Sequence, residues 1–222
     1  MYAIASFNDA KFQPLADVTD AIKKEYCDRH GYAYHVKTDV PFTVDIGFEK
    51  IAMVLDLFDK HPEYEWILFC ECDATVTNFN IKIEDRIDNR FHFIVATDIN
   101  EINAGVFLAR NSKEGKKYLN YIMKQRPEYK NNNQAEQAVI QNTYQGWRDV
   151  VRVVPQRVMN SFYYKFYGDN RIYRDHRDFA PFFDIMGNDG EWHPGDWILH
   201  LPGMANANRI DIFGQVKEHI VK

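Results

Sequence analysis

The chain has 222 residues, 45% hydrophobic and 27% charged, which fits a folded protein with a sizeable core and excludes a disordered or fibrous one. A formal net charge of −5 argues against a general nucleic-acid-binding role, and no apolar run of ~20 residues offers a membrane span. There is no signal-peptide pattern, and three cysteines make no even disulfide framework, so a soluble, cytoplasmic protein with reduced thiols is expected.

Residues 2–7 are apolar and read as a first strand. Pro14 opens a helical pattern in which Leu15, Val18, Ile22 and Tyr26 share a face, with Asp17, Lys23, Lys24 and Asp28 elsewhere on the wheel. Gly31 is a natural stop, and Tyr32–Val36 reads as a second strand, completing a β-α-β unit. Phe48, Ile51, Ala52, Leu55 and Phe58 predict a second helix, ended near Pro62. A long apolar strand then runs from Trp66 towards Val76. Further strands are expected at His92–Ala96, Gly105–Ala109, Val150–Val154 and Trp197–His200. Between them, helices are expected from Ser112, capped by Asn111 with Glu114 reaching back, and over 134–144. From Asn160 to His193 the pattern dissolves into aromatics, charges and turn residues. Strands alternating with helices predict one three-layer α/β domain over 1–222, with an irregular C-terminal lobe wrapped over one edge.

The most informative segment is Trp66-Ile67-Leu68-Phe69-Cys70-Glu71-Cys72-Asp73. An apolar strand ends in two carboxylates, and the carboxyl ends of strands are where open α/β sheets place ligands. If the strand continued, Glu71 and Asp73 would face the same way. Two adjacent anions are costly to bury without a cation. Oxygen ligands suit Mg²⁺ or Mn²⁺, commonly completed by phosphates, so a metal-diphosphate site is expected. Among the eight histidines His200 is the best third ligand, held where a strand turns at Pro202-Gly203, and His193 is the reserve. Two more segments bear on the site. In one, Asn103 and Gly105 sit just before a strand; in the other, Glu136 and Gln137 open an otherwise apolar-periodic helix.

In this order and spacing the segments resemble a known family. Ala5-Ser6-Phe7-Asn8, Tyr26-Cys27-Asp28-Arg29-His30-Gly31-Tyr32, Phe48-Glu49-Lys50-Ile51 and His61-Pro62-Glu63-Tyr64-Glu65-Trp66-Ile67 carry the first half. Asn103-Ala104-Gly105 and Gly195–Gly203 carry the second. The chain is similar to retaining GT-A glycosyltransferases of the galactosyl/xylosyl type, glycosyltransferase family 34. That resemblance implies a GT-A-like, Rossmann-type nucleotide-sugar-binding fold. It implies metal-dependent transfer of a hexose or pentose from a nucleotide diphosphate sugar, UDP-sugar favoured, to a glycan or other hydroxyl acceptor. It places Glu71, Asp73 and His200 on Mn²⁺ (or Mg²⁺), and Ser6, Asn8, Lys50 and Gly203 on the donor side with the two acids. Asn103 and Gly105 fall on the sugar and acceptor side, and Gln137 and Glu136 on the catalytic pair. The chain departs from the pattern at Glu71, where aspartate is usual, and at Ala135, where another acid is frequent. A form without the membrane anchor and stem of Golgi relatives is expected.

Two rival readings compete. A catalytically inactive nucleotide-sugar or carbohydrate-binding protein would account for both departures. A haloacid-dehalogenase-type phosphatase would use Glu71-Cys72-Asp73-Ala74-Thr75 as its nucleophile loop, but that chemistry needs aspartate where Glu71 stands. On sequence grounds Glu71→Asp is expected to retain or raise metal-dependent binding. The aromatics of 156–193, Tyr163, Tyr164, Phe166, Tyr167, Phe182, Phe183 and Trp192, are expected to shape the acceptor side.

Overall fold

The computed structural model describes residues 1–38, 40–41, 43–163 and 186–222. Tyr164, Phe166, Tyr167, Phe182 and Phe183, expected on the acceptor side, lie outside the described residues.

Strand β1 (Tyr2–Phe7), helix α1 (Gln13–His30) and strand β2 (Ala33–Lys37) form the opening β-α-β unit. Proline sits in the first turn of α1, and Gly31 ends it at φ 70°, a left-handed conformation that glycine adopts without strain. Helix α2 (Gly47–Lys60) precedes β3 (Trp66–Cys70) and β4 (Ala74–Val76). Then come β5 (Phe93–Asp98), β6 (Glu101–Arg110), α3 (Lys113–Tyr129), α4 (Ala135–Thr143) and β7 (Val151–Val154). Strands β8 (Ser161–Phe162) and β9 (Ile198–His200) and helix α5 (Asn206–Val216) follow.

Six strands make one sheet in the order β2-β1-β3-β6-β5-β7. Its first three strands are parallel, whereas β6 runs antiparallel to both β3 and β5. Alternation along the strands sorts the core into two layers. Ala3, Ala5, Ile67, Phe69, Phe93 and Phe107 face α2, α3 and α4. Ile4, Trp66, Leu68, Ile94, Val106 and Leu108 face α1 and β4. This is the expected three-layer α/β plan. No helix among the described residues is long and apolar enough to cross a membrane.

The structure corrects several local expectations. The long strand stops at Cys70; the amide of Ala74 bonds back to the carbonyl of Glu71 at 3.0 Å. The chain then leaves the large sheet for a small one of order β4-β9-β8. Asn103, Ala104 and Gly105 lie within β6, not before it. Ser112, not Asn111, caps α3, its hydroxyl accepting from the Gly115 amide at 3.0 Å. In α2, Val54 and Leu57 are buried where Ala52 and Leu55 were expected. Lys23 is fully buried, the opposite of a solvated position. Beyond the stretch read as irregular, α5 was not expected, and it packs Ile212, Phe213 and Val216 against Leu15 and Leu199.

Candidate active site

Three hydrogen-bonded junctions bring the acids and the histidine together. The β3–β6 pairing sets Cys70 opposite Val106, so the Glu71 amide meets the Gly105 carbonyl at 3.0 Å. The β4–β9 pairing sets Ala74 opposite His200. The Asp73 carbonyl accepts from the Leu201 amide at 2.9 Å, which ties the turn to the end of β9. As a result one ligand atom from each of Glu71, Asp73 and His200 lies within 4.8 Å of the others. A turn produces this convergence, rather than a continuing strand.

Gly105 leaves the room for it. A Cβ there would stand 2.3 Å from His200 Cε1 and 2.7 Å from a Glu71 carboxylate oxygen, closer than packed atoms allow. On the far side, Asn160 Oδ1 lies 2.7 Å from His200 Nδ1. The amide oxygen can only accept, so Nδ1 carries the hydrogen and Nε2 faces the acids. Nε2 is buried without a hydrogen bond; Asp73 Oδ1 is 3.3 Å away and Glu71 Oε2 3.6 Å. Burial works against charging this imidazole, but Asp73 and Glu71 outweigh it and push its pKa up to about 9. A proton on Nε2 therefore does here what a metal cation would do, and metal binding would release it. Two carboxylates and one imidazole whose buried Nε2 makes no hydrogen bond fit a divalent ion. Asn160 escaped sequence reading because nothing local marks an asparagine in an irregular stretch. Asn160→Ala is expected to weaken Mn²⁺ affinity about 10- to 100-fold, measured by calorimetry, since it frees the imidazole to turn.

Lys50 fixes the acids from below. Its Nζ lies 2.6 Å from Glu71 Oε1, 2.6 Å from Glu136 Oε1 and 3.2 Å from the Ala104 carbonyl. Burial disfavours the ammonium, but the Glu136 and Glu71 carboxylates hold its pKa above the usual lysine range. For Glu71, burial is outweighed by Lys50 and His200, which keep the carboxyl well below its usual range. Glu136 goes the other way, raised by burial against the pull of Lys50. All three N–H groups of Lys50 are taken, so it meets a ligand only through Glu71. Lys23 supports the same turn from α1: its Nζ reaches the Glu71 carbonyl at 3.0 Å and Ser6 Oγ at 3.1 Å.

Beside the three converging groups opens a cavity of about 170 Å³. Phe7, Phe12 and Ile46 supply its apolar wall, and Asn8, Asp73 and Arg209 are among its polar residues. Asn8 Oδ1 is buried without a partner while its Nδ2 donates to Gln13 at 2.9 Å. Ser6 lies fully buried on Lys23, outside this lining, and Gly203 is an exposed turn residue at φ 72°. Asn103 is buried with its Nδ2 on Asp98 and its Oδ1 on the Gly105 amide. Gln137 Oε1 accepts from the Ala104 amide at 2.9 Å, which leaves one oxygen lone pair. Glu136 is buried, and a Cβ on Gly47 would collide with its carboxylate. Just before it Ala135 has φ 45°, a strained conformation for an L-residue and of a kind that clusters at functional sites. The reserve ligand His193 is exposed, pairs with Asp189 and is not in the converging cluster. Trp192 is buried, donating to Thr77 Oγ1 at 3.1 Å, and serves packing. Arg209, missed in the sequence, holds Asp73 Oδ2 at 2.8 Å.

A mixed sheet with its acids at the end of β3 and a histidine arriving from a late strand is the GT-A glycosyltransferase fold. A solved glycosyltransferase involved in glycosylating the major capsid of PBCV-1 superposes with a TM-score of 0.72 at 20% identity, over 96% of this chain and 98% of that one. The galactosyltransferase LgtC, in complex with donor and acceptor sugar analogs, superposes with a TM-score of 0.53 at 14% identity, over 97% and 96%. The chain belongs to the galactosyl transferase GMA12/MNN10 family, whose model matches residues 8–92 and 88–211. An alpha-1,2-galactosyltransferase of Schizosaccharomyces pombe is 26% identical over 150 residues, 49% of this chain and 40% of that protein. An uncharacterized alpha-1,2-galactosyltransferase of the same yeast is 27% identical over 150 residues, 50% and 40%. The chain thus aligns with about two-fifths of the length of these curated relatives. The phosphatase reading falls with this family assignment.

Proposed function

We propose that this chain is a metal-dependent retaining glycosyltransferase that moves a hexose or pentose from a nucleotide diphosphate sugar, UDP-sugar favoured, to a hydroxyl of a glycan. The observation that carries the reading is the buried His200 Nε2, without a hydrogen bond and facing Glu71 and Asp73 beside an aromatic-walled cavity. Glu71, Asp73 and His200 would hold Mn²⁺ or Mg²⁺, which when bound supplies Lewis-acid stabilisation of charge on the leaving diphosphate. The family supports the reaction class, and the donor and acceptor sugar analogs bound to LgtC support a sugar donor and a sugar acceptor.

The chain's own residues have separable tasks. Phe7 and Phe12 offer apolar faces to a base, and the Asn8 amide, fixed by Gln13, offers an acceptor to a base N–H. Asn160 sets the ring of His200, while Lys50 sets the carboxylate of Glu71. The remaining lone pair of Gln137 Oε1 suits an electron-poor anomeric carbon, whereas Glu136 acts by holding Lys50.

Screening nucleotide sugars for Mn²⁺-dependent hydrolysis tests the reading. Slow release of free sugar from one donor is the expected result, and in transfer assays the product keeps the donor's α configuration by NMR. A β-linked product from an α-linked donor overturns retention. Tight donor binding with neither hydrolysis nor transfer returns the chain to the inactive-binder reading.

A further inference from the structure

With a divalent cation bound, the metal-binding acids and Lys50 would balance without Arg209. A divalent cation would be matched by Glu71 and Asp73, and Lys50 is matched by Glu136. Asp9 is turned onto the Phe12 amide at 2.9 Å. It is the remaining acid on the cavity wall, and Arg209 is the one cationic side chain there among the described residues.

Its geometry is that of a prepared anion contact. Nε donates to the Leu201 carbonyl at 2.8 Å, Nη1 to Asn206 Oδ1 at 2.9 Å, and Nη2 pairs with Asp73 Oδ2 at 2.8 Å. The guanidinium lies 5.5 Å from the Phe12 ring centre, and the residue is only 6% exposed. These anchors fix the side chain before any ligand arrives, so little rotamer entropy is lost on binding. They also use three of its five N–H groups, leaving one on each terminal nitrogen. Asp73 divides its oxygens, Oδ1 towards His200 and Oδ2 towards Arg209. Engagement of Oδ1 therefore does not require the arginine to leave.

We propose that Arg209 binds the terminal phosphate of the donor's diphosphate and so helps to carry the charge of the leaving group. This rests on the metal-diphosphate reading above. A purely structural arginine would serve only to hold Asp73 and the start of α5.

Calorimetry on the unmodified chain, Arg209→Gln and Arg209→Lys separates these roles, titrating Mn²⁺ alone and then UDP and UMP in Mn²⁺. Arg209→Gln is expected to lose UDP affinity about ten- to hundredfold, the scale of a charge-assisted hydrogen bond. UMP and Mn²⁺ affinities should change less than about threefold, and Arg209→Lys should recover part of the loss. Equal losses for UDP and UMP, a matching loss of Mn²⁺ affinity, or no loss at all overturns the proposal. Independently of how the variants fold, the Arg209 Nε–H NMR signal of the unmodified chain in Mg²⁺ should shift with UDP and not with uridine. An unmoved signal at saturating UDP counts against the contact. If the unmodified chain binds no UDP in Mn²⁺, the metal-diphosphate reading fails, and this proposal with it. UDP binding that persists undiminished in Arg209→Gln sinks the arginine contact alone.

Discussion

Asp73→Asn is expected to abolish Mn²⁺-dependent UDP binding, a loss of at least about 100-fold, while the chain stays folded. Both carboxylate oxygens of Asp73 face positive partners, His200 Nε2 at 3.3 Å and Arg209 Nη2 at 2.8 Å. An amide keeps the shape but presents an NH₂ to one of them and removes the charge from both. Losing the charge of one metal ligand costs at least the roughly 1.5–3 kcal/mol of a charge-assisted contact, which sets the scale. The backbone carbonyl of residue 73 still accepts from Leu201, so the junction with β9 survives. Calorimetry with UDP and Mn²⁺, beside a thermal melt, checks this; unchanged affinity removes the metal site. His200→Ala is expected to cost less, because both acids and the phosphates remain.

The structure reverses the sequence-based expectation for Glu71→Asp. One glutamate oxygen is 2.6 Å from Lys50 and the other 3.6 Å from His200, so the side chain spans two cations. A side chain one methylene shorter cannot keep both contacts, and UDP affinity in Mn²⁺ is expected to fall about tenfold by the same titration. The departure from aspartate is thus matched by the lysine beneath it.

Much of this architecture is written in local periodicity. The strand runs and helical faces announce the three layers, and an apolar run ending in acids marks the site. Pro202-Gly203 after a strand likewise marks His200. What escaped is what depends on distant partners. The break after Cys70 has no glycine or proline to announce it, since it arises when β4 pairs with a strand more than 120 residues later. Lys23 reads as solvated by residue type, yet it shares a helix face with Thr19 and Cys27, both buried. Helix α5 carries Ile212, Phe213 and Val216 at helical spacing, a weak pattern that follows a strong turn signal. Without α5, Arg209 had no place in the sequence reading.

Lys50→Met is expected to have the largest effect on stability, lowering it by about 3–5 kcal/mol. Methionine fills most of the volume, so packing changes little. What changes is charge: Glu136 is buried, and Lys50 is its ion-pair partner in the structure. Removing one partner of a buried pair strands the other charge at that scale of cost. Glu136 already has a pKa raised by burial, with Lys50 holding it back, so without Lys50 it rises further. An acid whose folded pKa exceeds its unfolded value binds more protons when native, and stability then falls as pH rises. The variant is therefore expected to lie nearest to the unmodified chain in acid and to lose ground steadily above the ordinary carboxylate range. Chemical denaturation of both proteins across that range checks the slope. A second substitution, Glu136→Gln, removes the stranded charge and is expected to restore most of the stability of Lys50→Met. A double variant no more stable than Lys50→Met alone would mean that the unpaired Glu136 carboxylate does not set the cost, which would then lie in packing or in Glu71, the other acid on Lys50.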